Sequence, residues 1–174
     1  MENGQTHIYT GDGKGKTTAA MGLALRALGA GKTVYIGQFI KDMEYHEIDV
    51  LRKIGGVTIE LYGSGDGCFI GRVPEQKDLD AAKNGIDSIR NAMLGGKYDL
   101  VIADEINVAW LLHVVKEEDM VSLLDEKPDT VELVFTGRGC PQSVLDKADL
   151  ITEMKEVRHY YTEKGLFARD GVER

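Results

Sequence analysis

The sequence predicts an α/β domain: a mostly parallel six-stranded sheet with helices on both faces. Three observations predict it. Short runs rich in Val, Ile, Leu and Phe alternate with longer segments whose apolar residues recur at helical spacing. The short runs are mostly apolar at successive positions, as strands buried on both faces are. The first of them runs into a glycine-rich turn and then a helix, so the chain leaves the sheet by a helical crossover rather than a hairpin.

The elements follow in order. "THIYTG" (6–11) is a short strand ending in glycine. Ala19, Ala20, Leu23, Ala24, Ala27 and Leu28 then mark one helix over 16–29, with Gly29 and Gly31 as its stop. "KTVYIGQFI" (32–40) has the pattern of a buried strand, "EYHEIDVLRKIGG" (44–56) of a short helix closed by glycines, and "VTIELYG" (57–63) of a third strand. "SGDGCFIGR" (64–72) is a loop by composition. Leu79, Ala82, Ile86, Ile89 and Met93 predict a long amphipathic helix over 75–94. "YDLVIADE" (98–105) and "TVELVFTGRG" (130–139) are strands; "INVAWLLHVV" (106–115) and "KEEDMVSLLDEKP" (116–128) between them read as helical, the second closed by Pro128. "CPQSVLDKA" (140–148) is a short helix and "DLITEMKEV" (149–157) a sixth strand. No repeat or linker interrupts the series, which predicts one domain over 1–174 with ligands at the carboxyl ends of the strands.

Composition narrows the function. A net charge of −8 opposes broad nucleic-acid binding, so any polyanion is expected to be held locally by backbone amides and a few basic side chains. No apolar run reaches the roughly 20 residues that span a bilayer, and the first residues carry no secretory leader pattern. Two isolated cysteines, Cys68 and Cys140, suit free thiols in a reducing cytoplasm.

The chemistry begins at "TGDGKGKTT" (10–18). It nearly fits the phosphate-binding loop G-x-x-x-x-G-K-[ST], with Thr10 where the pattern has glycine. Gly11, Gly13 and Gly15 let the backbone, with Asp12 and Lys14, bring its N–H groups close to phosphate oxygens. The following helix presents unpaired N–H groups and the positive end of its dipole. Lys16 adds a point charge, and the Thr17 hydroxyl suits magnesium. "LVIADE" ends a strand with Asp104 and Glu105, which could hold that metal opposite Thr17. Together these refine the fold class to a three-layer, P-loop NTPase-like (RecA-like) domain. Arg138 in "FTGRG" reads either as a triphosphate contact or as a surface turn. His159 reads as a surface or core residue or as a site residue, and the loop 63–72 as a substrate contact or a solvated hairpin.

The motifs together resemble the P-loop ATP:corrinoid adenosyltransferases. The resemblance rests on "GDGKGKTTAA" (11–20), "GQFIK" (37–41), "ADEI" (103–106), "FTGRGCP" (135–141) and "VRHYYTEKGLFARDGV" (157–172), in order along nearly the whole chain. It implies alkyl rather than phosphoryl transfer: a Co(I) corrinoid takes the 5′-deoxyadenosyl group of ATP and tripolyphosphate leaves, in adenosylcobalamin biosynthesis or salvage. It accounts for Thr10 as part of a variant loop that holds ATP in the reverse of its usual direction. It implies that Gly11 through Thr17, with Thr18, Arg26, Arg138 and His159, bind ATP. Lys16, Thr17 and Glu105 would be the catalytic group, and Thr17, Glu105 and Asp104 the surroundings of magnesium or manganese. Cys68, Phe69 and Ile70 would line the corrinoid side, Phe69 displacing the lower cobalt ligand. An electron donor that supplies Co(I) and a homodimer complete the implied partners. Asp12 departs from the asparagine common in relatives, and the 64–72 loop lacks a tryptophan found in some. The other readings are a P-loop ATPase or small-molecule kinase, and an ATP-sensing module without catalysis.

Overall fold

A computed structural model describes residues 3–41, 43, 45–65 and 73–173 of the chain. Its elements are β1 (Thr6–Thr10), α1 (Lys16–Gly29), β2 (Val34–Phe39), α2 (His46–Ile54), β3 (Val57–Tyr62), α3 (Gln76–Leu94) and β4 (Leu100–Asp104). They continue with α4 (Ile106–Leu111), α5 (Glu117–Glu126), β5 (Glu132–Thr136), α6 (Gln142–Leu145), β6 (Leu150–Glu153) and α7 (Tyr160–Lys164). The six strands form one sheet in the order β3-β2-β4-β5-β1-β6, and every pairing is parallel.

The central strands are apolar along most of their length because alternate residues enter two different cores, and their polar residues gather mainly at the ends. Tyr35, Phe39, Val101, Ala103, Leu133 and Phe135 pack with α3, α4 and α5 on one face. Val34, Ile36, Leu100, Ile102 and Val134 pack on the other face against Ala20, Met21 and Ala24 of α1 and Leu51 of α2. The result is the three-layer arrangement that strands alternating with helices predict. The α3 start is fixed by a reciprocal capping box between Glu75 and Asp78.

Several elements differ from the sequence reading; helix α4, for one, ends at Leu111 rather than running to Val115, as His113 beyond it takes φ 59°. The sixth strand stops at Glu153, because from Met154 the backbone turns onto the glycine loop instead of continuing along β1. A five-residue helix, α7, stands in the last segment, where so short a run gives no readable periodicity. No described helix is long and apolar enough to cross a membrane.

Candidate functional site

The carboxyl ends of β1, β2, β4 and β5 open into a cleft of about 660 Å³. That is within the range of small-molecule sites. One wall is the glycine loop, Asp12 to Gly15, with the first turn of α1. Gly11 has φ 95° and Gly15 φ 119°, values that side chains disfavour. Space is just as restrictive. A Cβ on Gly11 would lie 2.5 Å from the Met154 carbonyl oxygen, and one on Gly13 2.7 Å from the same atom. The Gly13 N–H donates to that carbonyl at 2.7 Å, and the Met154 N–H to the Thr10 carbonyl at 2.8 Å. The end of β6 therefore braces the loop from behind, while the loop's other side faces the cleft.

Helix α1 begins at Lys16, so its first N–H groups have no partner within the helix, and Lys16, Thr17 and Thr18 line the cleft. The Lys16 ammonium donates to the carbonyls of Gly11 and Gly13, both at 2.7 Å. Burial pulls its pKa below the ordinary lysine range, against the pull of Glu105.

Opposite the loop, β4 delivers Asp104 and Glu105 into unlike surroundings. Asp104 is fully buried and accepts four hydrogen bonds. Thr17 Oγ1 (2.8 Å) and Thr136 Oγ1 (2.7 Å) donate to its Oδ1; Gln38 Nε2 (2.9 Å) and Lys41 Nζ (2.8 Å) donate to its Oδ2. Burial would raise its pKa, but the Lys41 charge and these bonds outweigh burial and hold it low. Glu105 has φ 62°, a left-handed turn that swings its side chain from the sheet into the cleft, and its N–H is held by Thr136 Oγ1 at 2.9 Å. Burial and the adjacent Asp104 raise the Glu105 pKa. Among the described residues its carboxylate has no hydrogen-bond or ion-pair partner.

This donor set fits a hard divalent cation. Thr17 gives its hydroxyl proton to Asp104, which leaves its oxygen lone pairs free, and the Glu105 carboxylate is uncommitted. Among the described residues no cluster of three or more His, Cys, Asp or Glu forms a cage. Magnesium takes few protein ligands when phosphates supply the rest. Asp104, with both oxygens already occupied, supports Thr17 rather than ligating beside it.

The remaining wall comes from the last segment. Lys14 Nζ donates to Glu173 Oε1 (2.7 Å), the Val172 carbonyl (3.0 Å) and Tyr160 Oη (3.2 Å). Glu173 also accepts from Arg169 and Tyr160. His159 lines the cleft as the N-cap of α7, its Nδ1 accepting from the Tyr161 N–H at 3.1 Å. Arg138 stands exposed at the rim, at the tip of a turn anchored to α4 by Asn107 Nδ2 on the Gly137 carbonyl at 3.3 Å.

The structure thus gathers Asp12, Gly13, Lys14, Gly15, Lys16, Thr17, Thr18, Glu105, Arg138 and His159 around one cleft. It does not bring Arg26 there. Arg26 is exposed in the last turn of α1, and at helical rise that is about 15 Å along the axis from Lys16. The corrinoid-side residues Cys68, Phe69 and Ile70 lie outside the described residues; the stem of their loop, Gly63 to Gly65, leaves β3 at the same carboxyl end of the sheet. Sequence reasoning assigned no role to Gln38, Lys41, Tyr45 or Thr136, or to the contacts of Lys14 with Tyr160 and Glu173. "GQFIK" and "FTGRG" were visible as motifs, but which side chain met which carboxylate depends on contacts more than 30 residues apart.

Comparison with known proteins gives a consistent set. Residues 2–174 match the family described as ATP:corrinoid adenosyltransferase BtuR/CobO/CobP. The chain is 31% identical over 173 residues to the corrinoid adenosyltransferase of Escherichia coli K12, covering 99% of this chain and 86% of that one. It is 32% identical over 173 residues to the corrinoid adenosyltransferase CobA of Salmonella typhimurium, with the same coverage. An uncharacterized protein of Nostoc sp. is 36% identical over 171 residues, which is 90% of this chain and 45% of that longer protein.

Proposed function

The chain belongs to the ATP:corrinoid adenosyltransferase family, and from that premise we propose that it moves the 5′-deoxyadenosyl group of ATP onto the cobalt of a Co(I) corrinoid. The Co(I) electron pair forms the Co–C bond at C5′. The C5′–O5′ bond breaks, and its electrons leave with tripolyphosphate.

The observation that carries this reading is the glycine loop with Lys16 and Thr17 at a helix start, facing Glu105 across a nucleotide-sized cleft. The nucleophile comes with the corrinoid, so the protein needs no serine or cysteine of its own, and none lines the cleft among the described residues. What remains is orientation and charge. Loop amides, Lys16 and Arg138 meet the negative charge that grows on the leaving group. Met21, Ile40, Val108 and Val172 give the flat base an apolar wall. Thr17 and Glu105 hold magnesium or manganese, which when bound offsets triphosphate charge. Cys68, Phe69 and Ile70 face the corrinoid, an electron donor supplies Co(I), and the enzyme works as a cytoplasmic homodimer.

The test is anaerobic incubation with ATP, magnesium and chemically reduced cobalamin, following the corrinoid spectrum and the phosphate product. Tripolyphosphate with a Co–C bond is expected. ADP would mark a kinase or ATPase, and unchanged ATP a sensor.

A further inference from the structure

Lys41 has a place that the transfer reaction alone does not explain. It follows Ile40, whose φ of 55° is an outlier for a β-branched residue. β2 and β4 are neighbours, with Gln38 paired to Asp104, and each strand is followed at once by a left-handed residue, Ile40 and Glu105. The turn at Ile40 folds the chain back over the end of β4, so that the Lys41 side chain, 14% exposed, ends 2.8 Å from Asp104 Oδ2. Its ammonium also lies 5.2 Å from the centre of the Tyr45 ring.

The four donors to Asp104 are not equivalent. Thr17, Thr136 and Gln38 are neutral; Lys41 alone brings a charge. A fully buried carboxylate keeps its position only when it is both hydrogen-bonded and paired with an opposite charge. The same carboxylate fixes the Thr17 hydroxyl by accepting its proton at 2.8 Å. We propose that Lys41 is a positioning residue for the metal side of the site, acting through Asp104 to keep the lone pairs of Thr17 turned into the cleft. This rests on Thr17 as a metal ligand in the function proposed above. Lys41 also lines the cleft, so the competing role is a direct phosphate contact.

The two roles separate in binding measurements that need no turnover. Mn²⁺ affinity of the protein–ATP complex is read by electron paramagnetic resonance of free Mn²⁺, and ATP affinity is read separately in EDTA. Lys41→Met is expected to weaken Mn²⁺ binding about 10- to 100-fold, the range for lost partners of metal ligands, while ATP affinity in EDTA stays near wild type. In an Asp104→Asn background the same change is expected to alter Mn²⁺ affinity by no more than about twofold, because the group through which Lys41 acts has already lost its charge. The double variant also removes both buried charges, so it remains measurable if Lys41→Met alone fails to fold. Equal losses of Mn²⁺ affinity in both backgrounds overturn the proposal, as does a loss of ATP affinity in EDTA as large as that for Mn²⁺. Unchanged Mn²⁺ binding by Lys41→Met rejects this role alone. A wild-type ATP complex that takes up no Mn²⁺ rejects the metal reading of the site and this role with it.

Discussion

Thr10 gives its hydroxyl to the Gly139 carbonyl at 3.1 Å and pairs with Glu153 as the last residue of β1. It is strand backbone tied to the arginine-bearing turn, so nothing at this position needs a glycine. The need has moved to Gly11 and Gly13, where the backbone of Met154 leaves no room for a side chain. Gly13→Ala is therefore expected to destabilise by about 1–3 kcal/mol, as overpacking does, and to weaken ATP binding because the loop must shift. Thr10→Gly should leave ATP affinity nearly unchanged. Calorimetric melting and ATP titration of the two variants check the contrast, and a well-folded Gly13→Ala with wild-type affinity would remove the bracing argument. Lys16→Ala removes a charge aimed at the leaving group. Its adenosylation rate is expected to fall about 100- to 1000-fold, as when other preorganised electrostatic donors are lost. A folded variant with near-normal turnover excludes that role. These roles were legible because loop, lysine and threonine are contiguous. Lys41 was not, because its partner is 63 residues away in sequence.

Among the elements, the last segment is held to the site at two points with opposite pH behaviour. At one, Arg169, Lys14 and Tyr160 bond to Glu173 and hold its carboxyl well below the usual glutamate range. A depressed carboxylate contributes stability above its unfolded pKa, about 4.5, and loses it as pH falls. At the other, the hydrogen bond to Asp170, 2.9 Å from His46 Nε2, raises the histidine pKa. A raised histidine contributes below its unfolded value, about 6.5, and loses that contribution as pH rises through the folded value. Raising pH from about 6 to 8 should therefore release the Asp170 end from α2 while Glu173 stays on the loop. Amide exchange at 170–172, corrected for intrinsic rates, is expected to rise over this range in wild type, and the rise should be absent in Asp170→Asn. If wild type shows no rise beyond the intrinsic rate, the His46 contact is not a fastening. The strands, α1 and α3 could be read from sequence because burial imposes a period on them. α7 and both fastenings could not: a five-residue helix with no buried residue carries no period, and ion pairs leave no local pattern.

At the scale of the molecule, the core and the cover of the cleft separate along the chain. Among the described residues after Val144, none is buried, and β6 is exposed at all four positions. The cores on the two faces of the sheet are built from Ile8 to Val144. Stability and ligand binding should therefore respond differently to loss of the end segment. A variant ending at Val157 keeps β6 and the Met154 brace but loses His159, Gly171, Val172 and Glu173 from the cleft wall. It is expected to unfold in one cooperative transition, within a few degrees of wild type. Bound nucleotide should reveal the difference. ATP at 100 times its Kd stabilises the folded state by about 2.7 kcal/mol. For a chain of this length that is a rise of about 5–11 °C in Tm. If the missing wall weakens binding tenfold, the same ATP concentration contributes only about 1.4 kcal/mol, and the rise halves. Thermal melts of both proteins with and without magnesium and ATP give all four values. A full ATP-induced rise in the shortened chain would show that the end segment does not contribute to nucleotide binding. Loss of the cooperative transition would show that it belongs to the core after all.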